Sequence, residues 1–228
     1  MSIRSAAGLT DTGSALDPTM RLAFIGYVHR LLALGYAHLD APKYYEADED
    51  FITQDLAAVL RKMTEDVQGP RWASHFSIHE KRRQDDSQLQ GNTRLELDIV
   101  FERTGRGAHP CFVIEAKRLG PRHPVRIYLG PEGLGAFLSC EYAKEHDDAG
   151  MLAYVQSETL DDWCRALESR LAASPGKYSV EPPGTWQRYS FRDGPATTYR
   201  SCHTRLIGHR PITIYHTLLD FSGRRASA

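Results

Sequence analysis

The chain has 228 residues, 41% hydrophobic and 25% charged, which is typical of a globular protein and excludes fibrous and disordered classes. Its formal net charge of −1 excludes a surface that binds nucleic acid all over, so any such contact must be local. No apolar run is long enough for a membrane span or a signal core, and we expect a cytoplasmic protein without membrane contact.

Two helices are predicted in the first third of the chain. The first covers residues 17–34, and the second opens in the acidic stretch 44–56. Glu49 lies three residues before the first member of the second helix's apolar stripe and therefore projects along that stripe. The stripe has helical spacing and consists of Ile52, Leu56, Val59, Leu60 and Met63.

Two segments rich in Leu, Ile, Val and Phe follow, at residues 94–101 and 111–117. Both are typical of strands, and the glycine-bearing segment 104–107 separates them. This pattern predicts a β-hairpin that carries ionisable residues inside otherwise apolar strands.

The turn position sets which charged residues face each other. If the chain turns between residues 106 and 107, Asp98 lies opposite Glu115 and Glu96 lies opposite Lys117. All four side chains then share one sheet face, because side chains two residues apart point the same way. A surface hairpin in which Glu96 simply pairs with Lys117 explains the same pattern.

Downstream, residues 128–143 predict a helix and residues 149–156 a buried strand, and a further amphipathic helix covers 158–173. A Pro-Pro-Gly break precedes three strand-like runs. We expect these runs to extend the sheet or to cap it as a small meander; they cover residues 185–191, 196–206 and 211–221.

The paired carboxylates of the hairpin call for a chemical explanation. Two carboxylates held across a ladder repel each other, and a divalent cation between Asp98 and Glu115 would relieve the repulsion. Oxygen ligands suit Mg²⁺ or Mn²⁺. Lys117 would lie beside that ion and help orient or deprotonate a water, which is the machinery of phosphodiester hydrolysis.

Asp98, sixteen intervening residues and then Glu115-Ala116-Lys117 resemble the PD-(D/E)XK signature of the restriction-endonuclease-like nuclease superfamily. Leu97 stands where the literal motif has proline. The resemblance implies an α/β fold with a mixed sheet flanked by helices. It places a restriction-endonuclease-like core at about 44–156 of a single domain spanning residues 1–228, with a C-terminal strand extension at about 185–221.

The resemblance also implies an acidic residue on a preceding helix. Glu49 is the candidate, as a third metal ligand or as a residue that tunes the site, and Glu46 is a weaker alternative. A first-turn acid that complements the helix dipole is an equally acceptable account of Glu49.

Basic residues near the motif are candidate phosphate contacts. Arg118 and Arg122 follow the Glu-x-Lys strand directly, although a solvated basic loop has the same composition. His203 and Arg205 alternate in the middle C-terminal run, where they either face a substrate phosphate or decorate an exposed edge strand, and we favour the edge strand.

These observations predict a Mg²⁺-dependent or Mn²⁺-dependent nuclease in which Asp98, Glu115 and Glu49 hold the metal and Lys117 handles the water. The resemblance favours DNA over RNA as the partner and implies a role in restriction or phage defence, beside a partner protein or as a homodimer. Two alternatives stay open. One is a non-catalytic nuclease-fold subunit that serves as an interaction or nucleic-acid-binding module, and the other is an enzyme acting on small phosphodiesters.

Overall fold

The computed structural model describes residues 17–67, 69–83, 96–105, 110–181, 185–205 and 208–223. Its strands are β1 (Phe76–Arg83), β2 (Glu96–Arg103), β3 (Cys111–Leu119), β4 (Asp148–Val155), β5 (Gln187–Arg188), β6 (Thr198–His203) and β7 (Ile212–Asp220). They form one sheet in the order β1-β2-β3-β4-β7-β6-β5. The β3-β4 and β4-β7 pairs are parallel and the other pairs antiparallel.

Helices cover both faces of this sheet, so the predicted α/β fold with a mixed sheet flanked by helices is confirmed. The helices are α1 (Pro18–Ala37), α2 (Glu49–Glu65), α3 (Val125–Tyr128), α4 (Leu134–Leu138) and α5 (Leu160–Ala173). Helices α1 and α2 pack on the face that carries Ile99 and Ile114, and the other three pack on the face that carries Val113 and Met151. No helix in the described ranges is long and apolar enough to cross a membrane.

Helix α2 has the predicted start but a slightly different buried face. Ile52, Leu56 and Leu60 of the predicted stripe are buried, whereas Val59 and Met63 are half-buried. Thr53 and Ala57 are buried as well. Each directly follows a buried residue of the stripe, so the face of α2 that packs on the sheet is rotated slightly from the predicted one. Glu49 is the first helical residue.

The paired part of the β2-β3 hairpin has the predicted register, but the ladder ends at Ile99 and Ile114 and does not include the predicted facing of Glu96 and Lys117. Ile99 lies opposite Ile114, and Glu102 lies opposite Cys111. This is the pairing expected from a turn between residues 106 and 107, which themselves lie outside the described residues. The pairing brings Asp98, the next residue of β2, beside Glu115.

The connection from β3 to β4 consists of two short helices and not of the single helix predicted over residues 128–143. Gly133 explains the break, because a Cβ atom there would overlap the carbonyl oxygen of Tyr128. Strand β4 then runs parallel to β3 with all its residues buried, as predicted. Gly150 permits the close approach of the two strands, since a Cβ atom would lie 2.9 Å from Cγ1 of Ile114.

The C-terminal strands extend the sheet, which is one of the two predicted arrangements. Strand β7 pairs with β4, and β6 lies between β7 and β5. His203 is therefore fully buried, and Arg205 donates to the carbonyl oxygens of Ala143 and His146 at 2.9 and 3.0 Å. The exposed-edge interpretation of this pair is wrong, because tertiary pairing covers β6, and burial also keeps His203 from a substrate phosphate.

A chain of buried polar side chains crosses β6 and β7. Ser201 Oγ lies 2.6 Å from His203 Nε2 and 2.7 Å from His216 Nε2, and His216 Nδ1 lies 3.1 Å from Tyr128 Oη. His203 Nδ1 lies 2.7 Å from the Tyr178 carbonyl oxygen, which only accepts, so this nitrogen carries the proton. With both imidazoles neutral, the other donors follow from this proton. Tyr128 donates to His216 Nδ1, His216 Nε2 donates to Ser201 Oγ, and the Ser201 hydroxyl donates to His203 Nε2.

Candidate active site

The predicted acidic residues meet Lys117 at the end of β3, next to the start of α2. Asp48 caps α2 by accepting a hydrogen bond from the Phe51 N–H at 2.8 Å. Glu49, the next residue, turns towards β3. Its Oε1 accepts from Lys117 Nζ at 2.9 Å and its Oε2 accepts from the Arg118 backbone N–H at 3.0 Å.

Glu115 and Lys117 lie on the same face of β3. The Glu115 side chain is 4% exposed and that of Lys117 12% exposed. Lys117 Nζ lies 2.7 Å from Glu115 Oε1, so the ammonium group bridges Glu115 and Glu49. Glu115 Oε2 is buried and has no hydrogen-bond partner, which leaves one carboxylate oxygen available to a further cation or donor.

Asp98 joins the site through the main chain of β3. Its Oδ2 accepts a hydrogen bond from the Ala116 N–H at 2.8 Å, just beyond the paired residues Ile99 and Ile114. The carboxylate therefore takes the ladder position that a β2 carbonyl would otherwise occupy. This places Asp98 between the two strands and next to Glu115.

The pKa values reflect three carboxylates sharing one ammonium group. Burial and the nearby Asp98 carboxylate raise the pKa of Glu115, although the Lys117 ammonium opposes both. Burial also raises the pKa of Asp98, against the Ala116 hydrogen bond. Burial lowers the pKa of Lys117, but Glu115 and Glu49 outweigh it and hold the pKa above its usual value. Lys117 is therefore a firmly protonated counter-ion.

The residues fit a divalent cation in part. Oxygen ligands suit Mg²⁺ and Mn²⁺, and Glu115 Oε2 is the orphaned buried atom that such an ion would satisfy, with Asp98 next to it. In the described part of the chain, no group of three or more His, Cys, Asp or Glu side chains is arranged to hold a metal. Both oxygens of Glu49 already accept protein hydrogen bonds, so Glu49 is better placed to orient Lys117 than to bind the ion directly.

The two predicted phosphate-contacting arginines occupy different environments. Arg118 is half-buried, and its Nη1 donates to the Ala47 carbonyl oxygen at 3.2 Å. Arg122 is exposed in a turn that Gly120 and His123 close through two backbone hydrogen bonds of 3.1 and 2.9 Å. Arg122 is thus open to a ligand, whereas Arg118 braces the entry to α2. Glu46, the weaker helix candidate, is exposed and precedes α2.

The charges of the site also influence two further side chains, Tyr142 and His123, which were not predicted as site residues. Burial raises the pKa of the half-buried Tyr142 phenol, and the carboxylates of Glu115 and Asp98 raise it further. Burial and then Arg118 lower the pKa of His123. Both residues lie in irregular connections, where spacing alone does not indicate which way a side chain points.

The chain matches no protein-family model, no curated protein and no solved structure. The resemblance to the PD-(D/E)XK superfamily therefore remains a prediction that rests on the residues and their arrangement.

Proposed function

We propose that the protein is a metal-dependent nuclease of the PD-(D/E)XK type that hydrolyses phosphodiester bonds of nucleic acid. The observation that carries the proposal is the buried Glu115 carboxylate, which has one oxygen on Lys117 and the other without a partner, next to Asp98. A cluster with three acids and one ammonium retains unbalanced negative charge, which a divalent cation would neutralise.

Each residue has a distinct role in this proposal. Asp98 and Glu115 would hold Mg²⁺ or Mn²⁺, and the ion would lower the pKa of a bound water and stabilise charge on the phosphate. Lys117 would keep its proton and orient the water or the phosphate oxygen, because its ammonium is already held in place. Glu49 would position Lys117, and Arg122 would contact a phosphate of the incoming strand.

The direct test incubates purified protein with supercoiled plasmid, linear DNA, RNA and a small phosphodiester, each with Mg²⁺, Mn²⁺ or EDTA. We propose DNA ahead of RNA as the substrate, so we expect metal-dependent cleavage of DNA. Glu115→Gln should abolish cleavage, whereas the matched control Glu168→Gln on the exposed face of α5 should not. Cleavage of the small phosphodiester alone would assign the site to a different enzyme class.

A non-catalytic module is the second candidate, and one observation favours it. Lys117 already bonds Glu49 and Glu115, so the cluster is a plausible structural ion pair without any metal. Isothermal titration with Mg²⁺ and Mn²⁺ separates the two functions. Metal binding that Asp98→Asn removes supports the nuclease, and the absence of metal binding supports the module.

A further inference from the structure

Gln156 follows β4 directly and is 8% exposed. Its backbone N–H donates to the Leu119 carbonyl oxygen at 2.9 Å, and its side-chain Nε2 donates to the carbonyl oxygens of Tyr44 at 2.8 Å and Ala47 at 2.7 Å. Carbonyl oxygens only accept, so the amide nitrogen must face them and both of its hydrogens are used. The orientation of this amide is thereby determined.

Both carbonyl groups belong to residues 44–48, the segment that enters α2. The Ala47 N–H bonds the Tyr44 carbonyl oxygen at 3.2 Å, and Asp48 caps the helix. Arg118 adds a third side-chain bond, to the Ala47 carbonyl oxygen. The entry segment is thus fastened to the ends of β3 and β4 immediately before Glu49.

We propose that Gln156 is a positioning residue of the candidate active site, which holds the entry segment so that Glu49 reaches Lys117 and the Arg118 N–H. The consequence for cleavage rests on the proposed nuclease function, whereas the geometric part does not. Hydrogen bonds of 2.9 and 3.0 Å do not survive a shift of about 1 Å, so a displaced entry segment would release Glu49 from both partners.

The first experiment needs no activity. Backbone amide exchange of Arg118 reports whether its N–H still bonds Glu49 Oε2. Gln156→Met keeps the size of the side chain and removes both donors, so we expect the Arg118 amide to exchange about 10-fold faster while amides inside β4 are unchanged. Gln54→Met, an exposed glutamine of α2, is the matched control and should leave Arg118 exchange unaltered.

The second experiment is a double-mutant cycle on DNA cleavage. Gln156→Met should lower kcat about 10- to 100-fold in the wild-type background, the range seen when the support of a metal site is removed. In a Glu49→Gln background the same change should lower kcat less than about twofold, because both substitutions act through one contact. If Gln156→Met does not fold, Gln156→Glu replaces it, since its carboxylate would face the same two carbonyl oxygens.

The outcomes separate the two proposals. Unchanged Arg118 exchange in a folded Gln156 variant overturns the positioning role. The role is also overturned if Gln156→Met lowers kcat by the same factor in the Glu49→Gln background as in the wild type. Faster Arg118 exchange in a protein that cleaves nothing supports the positioning role and contradicts only the nuclease function.

Discussion

The Asp98 carboxylate accepts a hydrogen bond from the Ala116 N–H at 2.8 Å, where β2 and β3 cease to pair. One side chain thus supports the β3 backbone and also faces the buried Glu115 carboxylate. Removing the whole side chain and removing only its charge should therefore have different effects.

We expect Asp98→Asn and Asp98→Ala both to abolish cleavage but to differ in stability. Asparagine keeps an oxygen for the Ala116 N–H and relieves repulsion with Glu115, so its thermal midpoint should equal or exceed that of the wild type. Alanine leaves a buried N–H without a partner and should lower the free energy of unfolding by about 1–3 kcal/mol. Calorimetry measures both, and equal midpoints for the two variants would show that the hydrogen bond contributes nothing.

Lys117→Met should lower the free energy of unfolding by about 3 kcal/mol, because it leaves buried Glu115 without its cation. The loss stays at the low end of the range for broken buried ion pairs, since Glu115 can take up a proton instead. The double variant Lys117→Met/Glu115→Gln should recover most of the stability in urea unfolding. A double variant as unstable as the single one would show that Lys117 acts through packing.

Glu49→Gln should slow cleavage, because its single amide oxygen replaces two carboxylate oxygens that accept from Lys117 and Arg118. It should also weaken Mg²⁺ binding, because the cluster loses one negative charge. Glu46→Gln is the matched control on the exposed segment before α2 and should behave as the wild type. Titration calorimetry and initial rates test both variants. Loss of activity in Glu46→Gln alone would move the helix carboxylate to that position.

Arg122→Ala should weaken DNA binding with little sequence dependence and leave thermal stability unchanged. Each lost phosphate contact lowers the slope of log affinity against log salt by roughly 0.7 to 0.9. Arg118→Ala should also reduce stability, because its Nη1 bonds the Ala47 carbonyl oxygen. Arg170→Ala on α5 serves as the exposed control. If Arg122→Ala leaves the slope of log affinity against log salt unchanged, Arg122 does not contact a phosphate and its turn is only solvated.

The contribution of two buried histidines to stability should fall as the pH drops from about 6.5 to about 4. Burial lowers the pKa of His203 and of His29 from 6.5 to about 4, so the unfolded chain binds more protons in this window. The contribution is fully present above pH 6.5, and each imidazole accounts for about 3 kcal/mol. Replacing His203 by Gln should flatten the pH profile of the thermal midpoint, whereas His75→Gln, an exposed control, should not. Equal pH dependence of the thermal midpoint in His203→Gln and in the wild type would contradict a neutral buried His203.

The register of the β2-β3 hairpin was predictable, because side chains alternate with a period of two and a glycine-bearing segment limits where the chain turns. The helical stripe likewise predicted that Glu49, near the start of α2, projects towards the sheet. Local sequence is sufficient for such features, since each depends on neighbours within one or two turns of backbone.

Only the tertiary structure decided how the charges pair. Lys117 lies beside Glu49 because the first residue of α2 packs next to the end of β3, and residues so far apart in the chain meet only through packing. The same holds for His203. It was predicted to lie on an exposed edge strand, but β6 lies between β7 and β5 and His203 is buried. Long-range packing determines which charged groups and which imidazoles are buried away from water. The sequence of a single strand or helix does not contain that information.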